Sequence, residues 1–299
     1  MFALINPDHS PCQYIANPAL LGRPVWVKRD DLLHPVVSGN KYRKLKYPLM
    51  SLAQTRSTTT PTLVTMGGLW SNHLHATAYA AQACGYHSAG IVRAHAGMNS
   101  AMLDDCRATG MQLHLVDREN YRQCREVPGY WQQLVTAPQP FWLPEGGSDP
   151  AALHGVAELI AELDFIPDVI MVACGTAATL AGLLAGLQGR SRVVGVAVFK
   201  NAHYLHAEIA CLLQQAGYPA YQNYDLLLDF DHGGYAKVPR ELAQFCQVFS
   251  EQSGVPVEPV YTGKVFYALR ALVGSGYFQP EEKIMVLHTG GLQGMRGQH

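Results

Sequence analysis

Short apolar runs, several free of charge, alternate with helix-patterned segments along most of this chain, and that alternation limits its fold more than any other feature. Residues 62–66 read as a buried strand, followed by Gly67-Gly68 and a helical run over 71–83 that stops at Gly85. The rhythm repeats with a strand at 87–93, a helix at 99–109 closed by Gly110, and a strand at 111–116. It resumes with a helix at 151–163 capped by Ser148 or Asp149, strands at 169–173 and 193–199 around a helix at 180–187, amphipathic helices at 203–216 and 240–253, and a last strand at 283–288. Strands without charge on either face must be covered on both, which predicts α/β units with largely parallel sheets and helices on each side. Residues 128–144, rich in aromatics and proline, break the rhythm. The expected organisation is two open twisted α/β domains, a larger one from residues 1–50 and 157–299 and a smaller one from 51–156, with strand C-terminal loops facing a shared cleft.

Charged residues make up 15% of the chain, against about 25% in an average globular domain, so much of the surface is buried or lies in an interface. The formal net charge is -1, and no charge run marks a nucleic-acid or anionic-membrane partner, which points to a small substrate. Residues 169–189 carry no Asp, Glu, Lys or Arg and are long enough to cross a bilayer. The small polar Cys174-Gly175-Thr176-Ala177-Ala178-Thr179 splits them into a strand and a helix, so no membrane span is expected. The first 22 residues lack the pattern of a signal peptide, and the seven cysteines are scattered without a Cys-x-x-Cys pair. Reduced thiols in a cytoplasmic protein are the expectation.

Chemistry concentrates in turns that follow strands. Ser38-Gly39-Asn40-Lys41-Tyr42-Arg43-Lys44-Leu45 delivers Lys41 where a helical pattern begins. A helix N-terminus and the like charges of Arg43 and Lys44 would disfavour its ammonium form and free an amine able to condense with an aldehyde. Taken alone, the same residues also read as a solvated basic turn. The Cys174 to Thr179 turn offers small residues and the hydroxyls of Thr176 and Thr179 as an anion cradle, without the lysine of a Walker loop or a Gly-x-Gly-x-x-Gly spacing. His73 and His75, two apart on a helix, point away from each other and do not make a metal pair.

Four separated stretches together resemble the fold type II pyridoxal-phosphate enzymes, in the branch of D-cysteine desulfhydrase and 1-aminocyclopropane-1-carboxylate deaminase. They are Lys28-Arg29-Asp30-Asp31 with the Lys41 turn; Gly67-Gly68 with Ser71-Asn72-His73 and Thr77; Glu145-Gly146-Gly147-Ser148; and Tyr261-Thr262-Gly263-Lys264 with His288-Thr289-Gly290-Gly291. The resemblance spans nearly the whole chain in the same order. It implies pyridoxal 5'-phosphate as cofactor, held through a Schiff base by Lys41, which also shuttles the α-proton. It implies Ser71, Asn72 and His73 at the substrate, with Asn72 also at the cofactor's ring oxygen, and Gly175, Thr176, Ala177, Ala178 and Thr179 around the phosphate. Thr289 would meet the pyridine nitrogen, Tyr261 would line the cofactor face, and Tyr235 would be the second active-site tyrosine. A homodimer is implied by the family's habit.

The deaminase pattern carries glutamate and leucine where this chain has Thr262 and Thr289, and both threonines match the desulfhydrase. The implied reaction is β-elimination from D-cysteine to pyruvate, ammonia and sulfide. Deamination of the cyclopropane amino acid, or action on D-serine, is the alternative within the family, and a cofactor-binding protein without turnover is the alternative outside it. Trp70 and His75 replace the usual glutamine and arginine, and Ala177 and Ala178 replace two glycines, at about 1 kcal/mol each if those positions need positive φ. Pro48 lies inside the helix expected after Lys41, which predicts a late start or a kink.

Overall fold

A computed structural model describes residues 7–37, 39–55 and 58–297; Ser38, the first residue of the lysine turn, lies outside them. In chain order the first half comprises β1 (Cys12–Ala16), β2 (Pro24–Lys28), α1 (Asn40–Gln54), β3 (Thr62–Gly68), α2 (Asn72–Cys84), β4 (His87–Arg93), α3 (Ala101–Ala108), β5 (Gln112–Val116), α4 (Arg118–Glu126) and β6 (Pro140–Leu143). The second half comprises α5 (Pro150–Ala157), β7 (Val169–Cys174), α6 (Ala178–Leu187), β8 (Arg192–Ala197), α7 (Leu205–Gln215), β9 (Tyr224–Leu227), α8 (Arg240–Ser253), α9 (Thr262–Gly274) and β10 (Ile284–Leu287).

These strands form two sheets. One has the order β5-β4-β3-β6 and is parallel throughout; the other runs β1-β2-β10-β7-β8-β9 and is parallel except where β1 turns back on β2. The central strand β7 shows why charge-free runs were needed. Val169, Met171 and Ala173 face a core shared with Phe249 of α8 and Phe266 of α9, while Ile170, Val172 and Cys174 face a second core shared with α5, α6 and α7. Alternating side chains thus feed two apolar layers, and neither face of the strand tolerates a charge.

The proline-rich stretch that breaks the rhythm of the sequence remains part of the smaller sheet. It contains β6, which pairs with β3 at Thr62↔Pro140 through Thr65↔Leu143, and Trp142 stacks on Trp131 at 5.2 Å. Proline fits there because an edge strand has a free backbone side. Asp149, rather than Ser148, caps α5 by accepting the Ala151 amide at 2.8 Å. Helix α1 starts at Asn40 and runs through Pro48 to Gln54, so the expected late start does not occur. The helix instead gives up the one bond to the Lys44 carbonyl that a proline cannot donate.

Helices α1 and α5 cross at Gly155, where an added methyl would lie 2.0 Å from the Arg43 carbonyl oxygen. Gly155→Ala is expected to push α1 outward and cost at least about 2–3 kcal/mol, because backbone cannot yield as a side chain does. Urea denaturation checks this, and an unchanged midpoint would refute the tight crossing.

Candidate active site

The start of α1 is stitched to two other turns at the sheet ends. Gly39 adopts φ 61°, and a methyl there would lie 1.9 Å from the Thr289 carbonyl oxygen, so only glycine permits this approach. Its neighbour Asn40 donates its backbone amide to that oxygen at 3.3 Å and its side-chain amide to Thr179 Oγ1 at 3.0 Å. Lys41 Nζ in turn donates to Asn40 Oδ1 at 3.0 Å. The Lys41, Cys174–Thr179 and Thr289 turns, far apart in sequence, are one structure.

Together they line a cavity of about 290 Å3 that opens between the sheets. Lys41, Ser71, Asn72, His73, Gly175, Thr176, Thr179, Tyr235, Tyr261 and Thr289 all face it. Ala177 and Ala178 do not; their methyls are buried in the core beneath α6, so only their backbone is available to a ligand. Ala177 has φ -68° and ψ -25°, and Ala178 begins the helix, so neither position demands glycine and the anticipated strain is absent. Thr262 also lies outside the cavity, its hydroxyl at 3.2 Å from Glu258 Oε1.

Burial lowers the pKa of Lys41 to about 8. The cause differs from the one expected: Arg43 turns to the opposite face of α1, where it donates to Asp30 and Glu162, and the loss of solvent around Lys41 carries the shift. Lys44, one helical turn on from Lys41, is held well below the ordinary lysine range by burial and then by the Lys41 charge. It donates to Gly146 O and Thr176 Oγ1, each at 3.1 Å. At pH 7 about a tenth of Lys41 is neutral, several hundredfold more than for an ordinary lysine. Reductive labelling of the cofactor-free protein by pyridoxal should therefore rise about tenfold per pH unit below 8 and level off above it, as followed by peptide mapping of Lys41. A midpoint near 10 would contradict this.

The N-terminus of α6 has no side chain of its own as cap; the Ala177 amide acts on the Glu208 carboxylate, and the other backbone amides there face an anion site beside the Thr176 hydroxyl and Lys44. Asn72 Oδ1 and both ring nitrogens of His73 are buried without a hydrogen-bond partner among the described residues, and His73 is held neutral by burial and then by the nearby lysine charges. Ser71 caps α2 by accepting the Leu74 amide at 3.2 Å, which leaves its O–H free toward the cavity. Tyr261 and Tyr235 meet hydroxyl to hydroxyl at 3.3 Å. Burial raises both pKa values, that of Tyr261 well above 10, so the pair is protonated at neutral pH.

Two residues that local sequence did not single out hold these tyrosines. The buried Glu258 carboxylate accepts the amides of Val260 at 2.7 Å, Tyr261 at 3.0 Å and Thr262 at 2.7 Å, capping α9. Burial pushes its pKa up to about 7 against the pull of those amides. Lys264, fully buried, donates to the carbonyls of Asp231 at 2.7 Å and Gly234 at 2.9 Å, next to Tyr235. Arg93, Tyr121, Arg125, Glu145, Tyr204 and Glu208 also line the cavity and were not assigned from sequence. Lys44 alone had a signal, its helical spacing of three from Lys41.

Trp70 and His75, the two departures on α2 and its approach, stand outside the first cavity and pack against the C-terminal segment. His75 Nε2 lies 3.0 Å from Asp105 Oδ2, which Arg296 also contacts, and a methyl on Gly297 would meet the Trp70 ring at 2.5 Å.

A phosphate at the α6 amides would meet the Thr176 hydroxyl and the buried Lys44 beside it, leaving Lys41 for an aldehyde, and a ring beside it would meet the orphaned Asn72. These groups fit pyridoxal phosphate. The family model described as pyridoxal-phosphate dependent enzyme matches residues 7–290. A putative 1-aminocyclopropane-1-carboxylate deaminase from Pyrococcus furiosus is 31% identical, over 96% of this chain and 91% of that protein. A D-cysteine desulfhydrase from Salmonella choleraesuis is 28% identical over 97% and 94%. The crystal structure of an ACC deaminase homologue superposes with a TM-score of 0.82 at 30% identity, covering 96% of this chain and 90% of the other. With the match running from the first described residues to the Thr289 turn, the chain belongs to the pyridoxal-phosphate-dependent enzymes.

Proposed function

We propose that this enzyme is a lyase that eliminates the β-substituent of a small D-amino acid, with D-cysteine yielding pyruvate, ammonia and sulfide. The observation that carries the reading is a partly neutral Lys41 at a cavity that a protonated tyrosine pair also lines. Lys44, Thr176, Thr179, the backbone of Gly175, Ala177 and Ala178, Asn72 and Thr289 would hold the cofactor, and Lys41 would bind it covalently. When bound, that group withdraws electrons from the substrate's Cα. The remaining work falls to the chain: the freed Lys41 amine takes the α-proton, and the Ser71 hydroxyl, with Asn72 and His73, orients the substrate carboxylate. A tyrosine hydroxyl, held by Glu258 and Lys264, donates to the departing sulfur.

Thr262 stands where the deaminase pattern has its glutamate, and it turns its hydroxyl to Glu258 instead. A second reading, deamination of the cyclopropane amino acid, is favoured by the name of the Pyrococcus relative. Parallel assays separate them: sulfide and pyruvate from D-cysteine support elimination, 2-oxobutyrate from the cyclopropane substrate supports deamination, and cofactor-loaded protein that forms neither product would leave only a binding role.

We further propose that the two sheets belong to separate domains, residues 1–50 with 157–299 and 51–156, and that the enzyme works as a homodimer in the cytoplasm. Low charge content supports an oligomer and free cysteines such as Cys211 support a reducing compartment. No helix among the described residues is long and apolar enough to cross a membrane. Light scattering at about twice the 32.7 kDa chain mass would support the dimer.

A further inference from the structure

A second cavity of about 340 Å3 adjoins the first and shares Asn72, Arg93, Tyr235 and Tyr261 with it. Arg93, Arg118 and His95 supply its basic lining, and Asp117 and Glu258 its acidic lining. Both carboxylates are already committed. Asp117 caps α4 by accepting the Asn120 backbone amide at 2.8 Å, and Glu258 accepts the amides that open α9. Neither arginine side chain makes a hydrogen bond or ion pair with another described residue. Arg93 ends β4 at the cleft and lies over the Tyr121 ring at 5.5 Å, which orients its guanidinium without neutralising it. Its charge also acts on Tyr235, placing it at the junction of the two cavities.

Both guanidinium groups are exposed, Arg93 on both cavities and Arg118 on the second, and a guanidinium suits a carboxylate or an anion of similar shape, which arginine binds through two parallel N–H donors. Free cysteine carries no such group on its side chain. We propose that this annexe is an anion-binding subsite for a negatively charged substituent on the substrate's β-carbon, with Arg93 as the principal contact. The inference rests on the lyase reading and extends its substrate class beyond D-cysteine to D-amino acids with an acidic β-substituent. In the elimination, the Cα–H bond breaks and its proton goes to Lys41. The electron pair becomes the Cα=Cβ bond, and the Cβ–S bond breaks with its pair going to sulfur. The thiolate leaves with its acid group held at Arg93, and water then releases ammonia and pyruvate from the unsaturated amine. No oxidant or reductant is required.

S-(carboxymethyl)-D-cysteine and S-(carbamoylmethyl)-D-cysteine test the subsite, since they have nearly the same shape and differ in charge. With cofactor-loaded enzyme, kcat/KM from pyruvate release is expected to favour the carboxymethyl compound by at least about tenfold. Arg93→Gln should bring the ratio close to one, and Arg93→Lys should retain part of it. A wild-type ratio of one or less, or a ratio that survives Arg93→Gln, would overturn the subsite. Should neither thioether release pyruvate, the lyase reading fails for this class, and the subsite is judged by calorimetric titration of thioglycolate into the same protein. Binding weakened at least about tenfold by Arg93→Gln and by added salt supports it; equal binding in wild type and variant, or none, overturns it.

Discussion

Lys41→Ala is expected to yield a folded protein that no longer holds pyridoxal phosphate covalently and whose turnover falls by at least about 10^4-fold. The side chain accepts no packing load: its ammonium contacts Asn40 Oδ1 and faces the cavity. Removing it also removes a buried charge that depresses Lys44, so the fold should be unharmed or slightly firmer. What is lost is, among the described residues, the one lysine that combines a position on the cavity with a pKa near 8 and no second task. Lys44 is already engaged by Gly146 and Thr176, and Lys264 by backbone carbonyls. Borohydride reduction followed by peptide mapping gives the readout. A reduced cofactor adduct of the same yield in the variant would mean that another lysine does the work.

Asp30→Ala should give the largest loss of stability among single substitutions near the site, about 3–5 kcal/mol. Asp30, fully buried, accepts Arg43 Nε at 2.6 Å, Arg43 Nη2 at 2.7 Å and the Ser10 hydroxyl at 2.7 Å. Arg43 also pairs with Glu162 at 2.8 Å, and Glu162 with Lys28 at 2.9 Å. The network thus joins the end of β2, helix α1 and the segment after α5. Truncating Asp30 leaves a guanidinium inside the protein with one partner, whereas replacing Asp30 and Arg43 together by apolar residues should cost less, because no charge is stranded. Denaturant unfolding of the three variants decides the matter. A double variant as unstable as Asp30→Ala would show that packing, not charge, carries the effect. Because α1 positions Lys41, the single variant should lose cofactor affinity as well.

The same residues show how far reading along the chain could go. Helix α8, bounded by Pro239 and Gly254, is visible from its period and its stop, and strands β3, β4 and β7 from apolar runs that end in glycine or a small-residue turn. Helix α4 was missed because its sequence, RENYRQCRE, buries only Tyr121 and Cys124, too few apolar positions for a periodic signal. Strand β6 was hidden by the prolines of its loop, and β9 by its half-buried edge position. That Lys41, Ser71, Asn72 and Thr176 would line one cavity was legible because each sits near a strand-to-helix junction, and in such sheets these junctions face the cleft.

The residues that set their chemistry were not legible. Glu258 and Lys264 look like ordinary charged residues of a helix and its approach until their burial and their backbone partners are known. The reason assigned to Lys41 was likewise wrong in detail, since Arg43 neighbours it in sequence and points away in space.

Sequence by itself determined the layered architecture and singled out Lys41 as the candidate lysine, because alternation of apolar runs and the residue types at tight turns are local properties. Only the tertiary structure decided which turns share a cavity, which charges are neutralised, and that the side chains of Arg93 and Arg118 have no ion-pair partner among the described residues. Burial and electrostatic pairing depend on distances between segments up to hundreds of residues apart, and no local window contains them.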